Sequence, residues 1–305
     1  MKKLIVLFTA LAIVSCSNEE IGGLGTKTNL NSIKITDYSK NNEILGSQEM
    51  FFENEKLKTI KSSDNRVSDY TYNNQNLVSK IIDYNPDGEI LITTTFLYTN
   101  TGKITEITRI SGPANEEILN NKFVFTHLAG KILLAKSSGN NTAEHSEISL
   151  NSNNQFEKQT SFSGAFYYKY DFVNGNLEKC AQFENNGNLT GNVRTYKYTN
   201  LPNIYNYKKL LFGNEWKLNN FLCSFYASNS TVFLDLSENL VSEDVVTFFD
   251  ASSNYTVNFR TKTDYIFDSS NRMSKMTENS SIESGTTSIT IRPSIKTEFV
   301  FTYKD

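Results

Sequence analysis

The sequence predicts an all-β fold: a long antiparallel β-meander, curled or folded over on itself, with a small helical insert near residues 201–226. Three observations predict it. Tyr and Phe are plentiful, 16 and 21 of 305 residues, and they sit with β-branched residues in short runs separated by Asn, Ser and Gly. Such runs suit a pleated, half-buried surface, and the separators suit turns. A short aromatic pattern also recurs at a period of roughly 20 to 28 residues, room for two strands and two turns. One stretch, 201–226, breaks that pattern and steps its apolar residues by three and four instead.

Composition bounds the remaining classes. The formal net charge is only -3, and 21% of residues are charged. No basic surplus exists to neutralise phosphates, so no nucleic-acid partner is expected. Disorder is the competing reading of an Asn- and Ser-rich chain, and the 12% aromatic content argues against it.

At the amino terminus, Lys2 and Lys3 precede an almost wholly apolar run, Leu4 to Val14. As a helix that run spans about 16 Å, roughly half a hydrocarbon core, so it reads as a signal peptide over residues 1–15. It ends Ile13-Val14-Ser15-Cys16, which resembles the bacterial lipobox. The resemblance implies diacylglycerol on the Cys16 sulfur, cleavage before Cys16 and acylation of the new amino terminus. Two or three acyl chains hold firmly to a bilayer where one is marginal. The expected partner of the chain is therefore a membrane, reached through lipid.

Ser17, Asn18, Glu19 and Glu20 follow. Acidic residues here resemble the surface-export signal of Bacteroidota lipoproteins, which implies an outward-facing outer-membrane location. Residues 16–30 are read as lipidated Cys and flexible tether, and 31–305 as a single repeat-built β domain. Gly22-Gly23-Leu24-Gly25 belongs to the tether, because no strand precedes it as a phosphate-binding loop would require.

The repeat runs through the body of the domain. An aromatic-x-aromatic strand end leads through turn residues and a Gly or Asn to an apolar residue two further on. Tyr70 and Tyr72 lead through Asn76 to Val78, and Phe96 and Tyr98 through Gly102 to Ile104. Phe123 and Phe125 lead through Gly130 to Ile132, and Ile148 and Leu150 through Asn154 to Phe156. Tyr168 and Tyr170 lead through Gly175 to Leu177, and Tyr265 and Phe267 through Asn271 to Met273. Phe299 and Phe301 form a final half-unit. Residues i and i+2 of a strand share a face, so the paired aromatics are expected to bury together. Gly or Asn supplies the positive φ that a tight hairpin needs. No unit can bury its aromatic face alone, so neighbours must stack.

Tyr168-Lys-Tyr170-Asp171 with Gly175-Asn176-Leu177, and Tyr265-Ile-Phe267-Asp268 with Asn271-Arg272-Met273, look like YD repeats of the RHS type. They look more like the short YD-like lipoproteins of unknown function found in Bacteroidota. The resemblance covers residues 30–305, and several units lack the Asp. It implies a meander of YD-like hairpins and a surface lipoprotein, and it supplies no activity.

Within the interruption, Tyr207, Leu211, Leu218, Phe221, Leu222 and Phe225 fall on one helical face. Leu201-Pro202-Asn203 is the expected start, and Gly213-Asn214 the expected break between two short helices. Two readings stay open. The insert covers one face or edge of the sheet, or it presents Trp216, the one Trp, as an exposed platform for a sugar or partner.

Motifs for chemistry are absent from the sequence. His127 and His145 have no His or Cys at metal-ligand spacing, so no metal or cofactor is expected. Asp87-Gly88-Glu89 reads as a turn and not a calcium loop. Glu116-Glu117 and Glu243-Asp244 are adjacent on strands, point to opposite faces and read as solvated edge charges rather than a glycosidase pair. Cys180 and Cys223 remain after Cys16, either as a disulfide stapling the insert to the sheet or as separate thiols. The expected function is a membrane-anchored, non-enzymatic binding or structural module of the envelope, its glycan or protein ligand unidentified. The alternative is a carbohydrate-active hydrolase whose carboxylates are dispersed in sequence.

Overall fold

Period-two alternation and closely spaced turns produce strands almost throughout. The computed structural model describes residues 29–112, 121–139, 143–203, 211–212, 215–227, 237–250, 255–284 and 296–304. The strands are β1 (Leu30–Tyr38), β2 (Ile44–Glu53), β3 (Lys56–Ser62), β4 (Val67–Tyr72), β5 (Val78–Tyr84) and β6 (Ile90–Tyr98). They continue as β7 (Ile104–Ser111), β8 (Asn121–Leu128), β9 (Lys131–Ser138), β10 (Glu144–Leu150), β11 (Phe156–Thr160) and β12 (Phe166–Val173). The last are β13 (Asn176–Glu184), β14 (Leu189–Pro202), β15 (Asn239–Asp250), β16 (Tyr255–Phe267), β17 (Met273–Ser284) and β18 (Lys296–Tyr303). A helix, α1 (Trp216–Ala227), lies between β14 and β15, and Leu211 and Phe212 before it are also helical.

Every strand pairs antiparallel with its sequence neighbours, and β1 also pairs with β18 through Ile33↔Phe301 and Ile35↔Phe299. The sheet is therefore an 18-stranded closed barrel. The expected meander is present, but it neither stays open nor folds over. An open sheet would leave β1 and β18 with unpaired backbone groups, and pairing them removes both edges.

The repeat has a defined geometry. The turn residues Asn76, Gly102, Gly130, Asn154, Gly175 and Asn271 all have positive φ, between 57° and 87°. The apolar residues two further on, Val78, Ile104, Ile132, Phe156, Leu177 and Met273, are all buried. In the turn that follows β4, the Asn73 amide donates to Leu77 O, and Asn73 Oδ1 accepts the amides of Gln75 and Leu77. Asn151 and Asp268 cap their turns in the same way, and the Thr99 hydroxyl accepts the Lys103 amide. One short side chain with an acceptor suffices. This is why units lacking the Asp of the YD pattern still turn.

A second link joins each unit to the one before. Tyr72 donates its hydroxyl to Leu57 O (2.8 Å), Tyr98 to Val78 O (2.5 Å), Tyr198 to Leu177 O (2.5 Å) and Tyr303 to Met273 O (2.8 Å). His127 takes the same place in its unit, with Nε2 donating to Ile104 O at 2.7 Å. These bonds satisfy carbonyls at the start of the return strands and hold neighbouring hairpins in register.

The helical insert differs from expectation at its start. Leu201 and Pro202 end β14, where Pro202 pairs with Asn239, and the Asn203 amide donates to Glu238 O to close the base of the insert. The expected break at Gly213-Asn214 lies outside the described residues, as does Tyr207. Leu211, Phe221 and Leu222 are buried as the helical face requires. The insert stands where a hairpin turn would stand: Tyr196 and Tyr198 before it, Val241 after it, are a repeat unit in all but the turn.

Nor does α1 cover an edge, since the sheet has none. Asn219 binds the backbone of Gly102 and Ile104, at the start of β7, while Phe221 stacks on Phe156 of β11 with ring centroids 3.8 Å apart. Two residues of one helix thus touch strands four places apart, about 19 Å along the wall at ordinary strand spacing. Only a concave wall allows this, so α1 lies inside the barrel and plugs it. Trp216, only 7% exposed, is part of that packing and is no external platform.

Candidate functional site

Strand alternation divides the barrel wall into two faces of opposite character. The outer face carries cross-strand rows of alternating charge: Lys34↔Glu49↔Lys61 on β1–β3 and Lys197↔Glu243↔Lys262 on β14–β16. Ion pairs join Lys122 to Glu106, Lys131 to Glu147, and Lys275 and Lys296 to Glu298. Exposed apolar residues such as Leu97, Ile266 and Val300 are interspersed. The inner face carries the core: Ile33, Ile35, Met50, Phe52, Leu57 and their equivalents onward, closed by Phe212, Phe221 and Leu222 of the insert.

The inner face is not uniform. From β2 to β13 the half nearest α1 is apolar and aromatic. The half away from α1 is more polar all round the barrel: Ser68 donates to Asp83 and Lys136 pairs with Glu144 on β4–β5 and β9–β10, and β14 to β18 carry the longest polar rows. A row runs Tyr196↔Asp244↔Thr261↔Ser280 across β14–β17. The Thr261 and Ser280 hydroxyls are bonded at 3.0 Å. A second row runs Glu278↔Thr297↔Asp37, and Thr297 donates to Asp37 at 2.7 Å.

Arg194 stands two residues before Tyr196 on the same face. Its Nη2 donates to Asp244 Oδ2 at 2.5 Å, and its guanidinium lies 5.4 Å from the Tyr196 ring centroid. Asp244 is only 4% exposed. Burying two charges is tolerable here because each neutralises the other. Arg194 Nε and the Tyr196 hydroxyl, both buried, have no hydrogen-bond partner among the described residues. Burial pushes the Tyr196 hydroxyl well above its ordinary range, with Arg194 pulling partly the other way. Burial likewise pushes the neighbouring Cys180 thiol up to about 12, against the pull of Arg194 and with a push from Asp171.

The residues singled out from the sequence fare differently. Cys16, Ser17, Asn18, Glu19, Glu20 and Glu116-Glu117 lie outside the described residues. Glu243 and Asp244 do point to opposite faces, but they are not both solvated edge charges. Glu243 faces out, to Lys197 (2.7 Å) and Arg260 (2.6 Å), while Asp244 faces in and is buried with Arg194. Closure of the barrel turns an expected edge into an interior. Asp87-Gly88-Glu89 is a turn, with Gly88 at φ 84° and the Asn85 amide donating to Glu89 O. His127 is a packing residue of the hydroxyl ladder, and His145 is exposed. Cys180 is a buried free thiol, which removes the disulfide reading, and the side chain of Cys223 lies outside the described ones.

Arg194 and Tyr196 were not singled out. One signal could have found them: Tyr196-Lys197-Tyr198 repeats the aromatic-x-aromatic motif, and it was hidden because the insert replaces its turn. No group of His, Cys, Asp and Glu among the described residues is placed to hold a metal ion.

No protein-family profile matches the chain, and no curated protein sequence matches it. Solved structures do. A porin-like protein from Bacteroides uniformis is 11% identical, covering 91% of this chain and 98% of that one, with a TM-score of 0.38. A porin-like protein from Bacteroides vulgatus is 14% identical, covering 89% and 97%, with a TM-score of 0.38. The Photorhabdus luminescens Tc holotoxin pore carrying a TccC3 mutation is 9% identical, and the match covers 84% of this chain but 15% of that one, with a TM-score of 0.33. Scores of this size carry no argument, and the barrel stands on its own strand ladder.

Proposed function

We propose that the chain is a lipid-anchored, non-enzymatic envelope module, a barrel that stands on the bilayer rather than in it and takes a polar ligand at its inner wall. One observation carries the reading: the outer face bears rows of opposite charges, and the inner face bears the apolar core. A membrane-spanning barrel needs the reverse, an apolar band facing lipid. Each Lys or Arg at the bilayer midplane costs about 2–4 kcal/mol. The membrane must then be reached by other means, and acyl chains on Cys16 supply them.

The ends of the barrel fit this placement. The Lys304 amide donates to Asn29 O, so the chain enters and leaves the barrel together, at the end that α1 plugs. A tether from Cys16 therefore reaches the plugged end, and the opposite mouth, ringed by turns such as 39–43, 62–66 and 85–89, points away from the bilayer. Glu19 and Glu20 near the lipid favour the outward leaflet of the outer membrane.

Cys16→Ser tests the reading. The whole protein is expected to leave the membrane fraction and remain soluble. Retention of the variant in the bilayer against carbonate extraction would sink it, because only a wall embedded in lipid would hold. A second reading, the carbohydrate hydrolase, is favoured by Asp37 and Glu278, two inner-wall carboxylates on one row separated by β18. Release of reducing ends from an oligosaccharide, abolished by Glu278→Gln, would decide for it.

A further inference from the structure

Resting on the reading of the barrel as a binding module, we infer that Arg194, Tyr196, Thr261 and Ser280 form a subsite on the inner wall for a neutral, hydroxyl-rich ligand of the saccharide class. The Tyr196 hydroxyl and Arg194 Nε are donors on one face of β14, two residues apart, and neither has a partner among the described residues. A buried donor left unpaired is costly, and a ligand oxygen that accepts from it recovers that cost. Tyr196 is 6% exposed, while the Arg194 side chain keeps 18% of its surface open, so the pair is enclosed and still reachable.

Charge selects the ligand. The guanidinium is already bonded to Asp244, so the cluster is neutral as a whole. An anion entering it would lose its hydration without gaining a net countercharge. A neutral oxygen, such as a sugar hydroxyl, ring oxygen or N-acyl carbonyl, loses far less. Thr261 and Ser280 extend the row with two more hydroxyls that donate and accept. Further along the same inner face, Phe248 and Phe259 form an edge-to-face pair with centroids 5.3 Å apart, and Phe248 is exposed. An exposed aromatic face beside hydroxyl and guanidinium donors suits the mixed polar and C–H surface of a pyranose ring.

The experiment uses the full lipidated chain in detergent on an array of neutral oligosaccharides (cello-, malto-, manno- and N-acetylated chito-series) and acidic ones (uronate and sulfated series), with affinities measured by calorimetry on the bound member. Binding is expected in the neutral set. Tyr196→Phe is expected to weaken it by about tenfold, the worth of one buried hydrogen bond. The same variant is expected to fold at least as stably as the wild type, because it deletes a hydroxyl with no partner among the described residues. Tyr198→Phe is the contrast: its hydroxyl is already bonded to Leu177 O, so stability falls and affinity stays. Equal affinity of Tyr196→Phe and wild type overturns the subsite, as does preference for the acidic set or silence across the array. None of these outcomes touches the anchor, whose test is release from the membrane by Cys16→Ser.

Discussion

The wall from β2 to β13 and the wall from β14 to β18 are built from one repeat and differ in how regularly they follow it. In the first, strands run from 5 to 10 residues, and the inner half near the plug is apolar, with Asp83, Lys136 and Glu144 in the other half. In the second, β14 to β17 run from 12 to 14 residues, a helical insert replaces one turn, and the inner wall carries an ion pair and a row of hydroxyls. The regular wall holds α1 through Gly102, Ile104, Phe156 and Tyr170. Repetition serves closure and packing, and the departure from it supplies the plug.

The largest effect should come from cutting the ion pair of the polar wall. Asp244→Ala leaves Arg194 charged and buried, and should cost about 3–5 kcal/mol by denaturant unfolding. Glu243→Ala, one residue away but facing out, should cost less than about 1 kcal/mol. Equal costs would erase the distinction between the faces. Replacing the pair together, Arg194→Met with Asp244→Leu, should recover most of the loss. That result would mark the pair as kept for something other than stability.

Next in size is the contact between the regular wall and the plug. Ile104 is fully buried, its amide accepted by Asn219 Oδ1 at 2.9 Å and its carbonyl bonded to His127. Ile104→Ala removes three methyl or methylene groups beneath α1 and should cost about 2–5 kcal/mol. A cost below about 1 kcal/mol would mean that the plug does not pack on β7.

Much of this was legible in the sequence, and the reason is local. Asn76, Gly102, Gly130, Asn154, Gly175 and Asn271 each sit in a turn that their own conformational preference helps to make, so each could be read one at a time. Closure was not legible, because the pairing of Ile35 with Phe299 joins residues from opposite ends of the chain and leaves no local trace. The inward aim of Asp244 was missed for the same reason. Alternation places it opposite Glu243, but only closure decides which side is the interior. Tyr196 was lost because the insert removed the Gly or Asn by which the other units were recognised. Cys180 lies on β13 as a buried free thiol, and the choice between disulfide and thiol had no local trace in the sequence.

A smaller effect isolates the hydroxyl ladder. Tyr98→Phe removes the bond to Val78 O and leaves the ring in the apolar layer. A cost of about 0.5–1.5 kcal/mol is expected, with the unfolding slope unchanged. Leu150 and Phe172 hold the equivalent places without a hydroxyl, and Tyr265 supplies the rung to Val241 O in place of Phe267, so the ladder tolerates gaps and no single rung should decide folding. Loss of folding in Tyr98→Phe would mean that the bonds, and not the packing, set the register.

The smallest effect belongs to the outer face and appears only in acid. Glu298 lies on β18, where its carboxylate accepts from Lys296 Nζ (2.6 Å), Lys275 Nζ (2.9 Å) and the Tyr38 hydroxyl (3.2 Å). The Lys296 bond first, and the Lys275 bond next, lower its pKa to about 2. In the unfolded chain it returns to the ordinary glutamate value of about 4.3. Because the folded value is the lower one, the unfolded chain takes up the proton first as pH falls. The contribution is therefore fully present above about pH 5 and is lost progressively toward pH 2. Both lysines stay partly open to solvent, which screens the interaction and should hold it to about 1 kcal/mol. Glu298→Gln should accordingly lower the urea midpoint slightly at pH 6 and match the wild type near pH 2.5. A difference that stays constant across that range would mean the carboxylate charge does not hold β17, β18 and β1 together. The outer rows would then be solvation alone, which still keeps the wall out of the bilayer but no longer helps to close it.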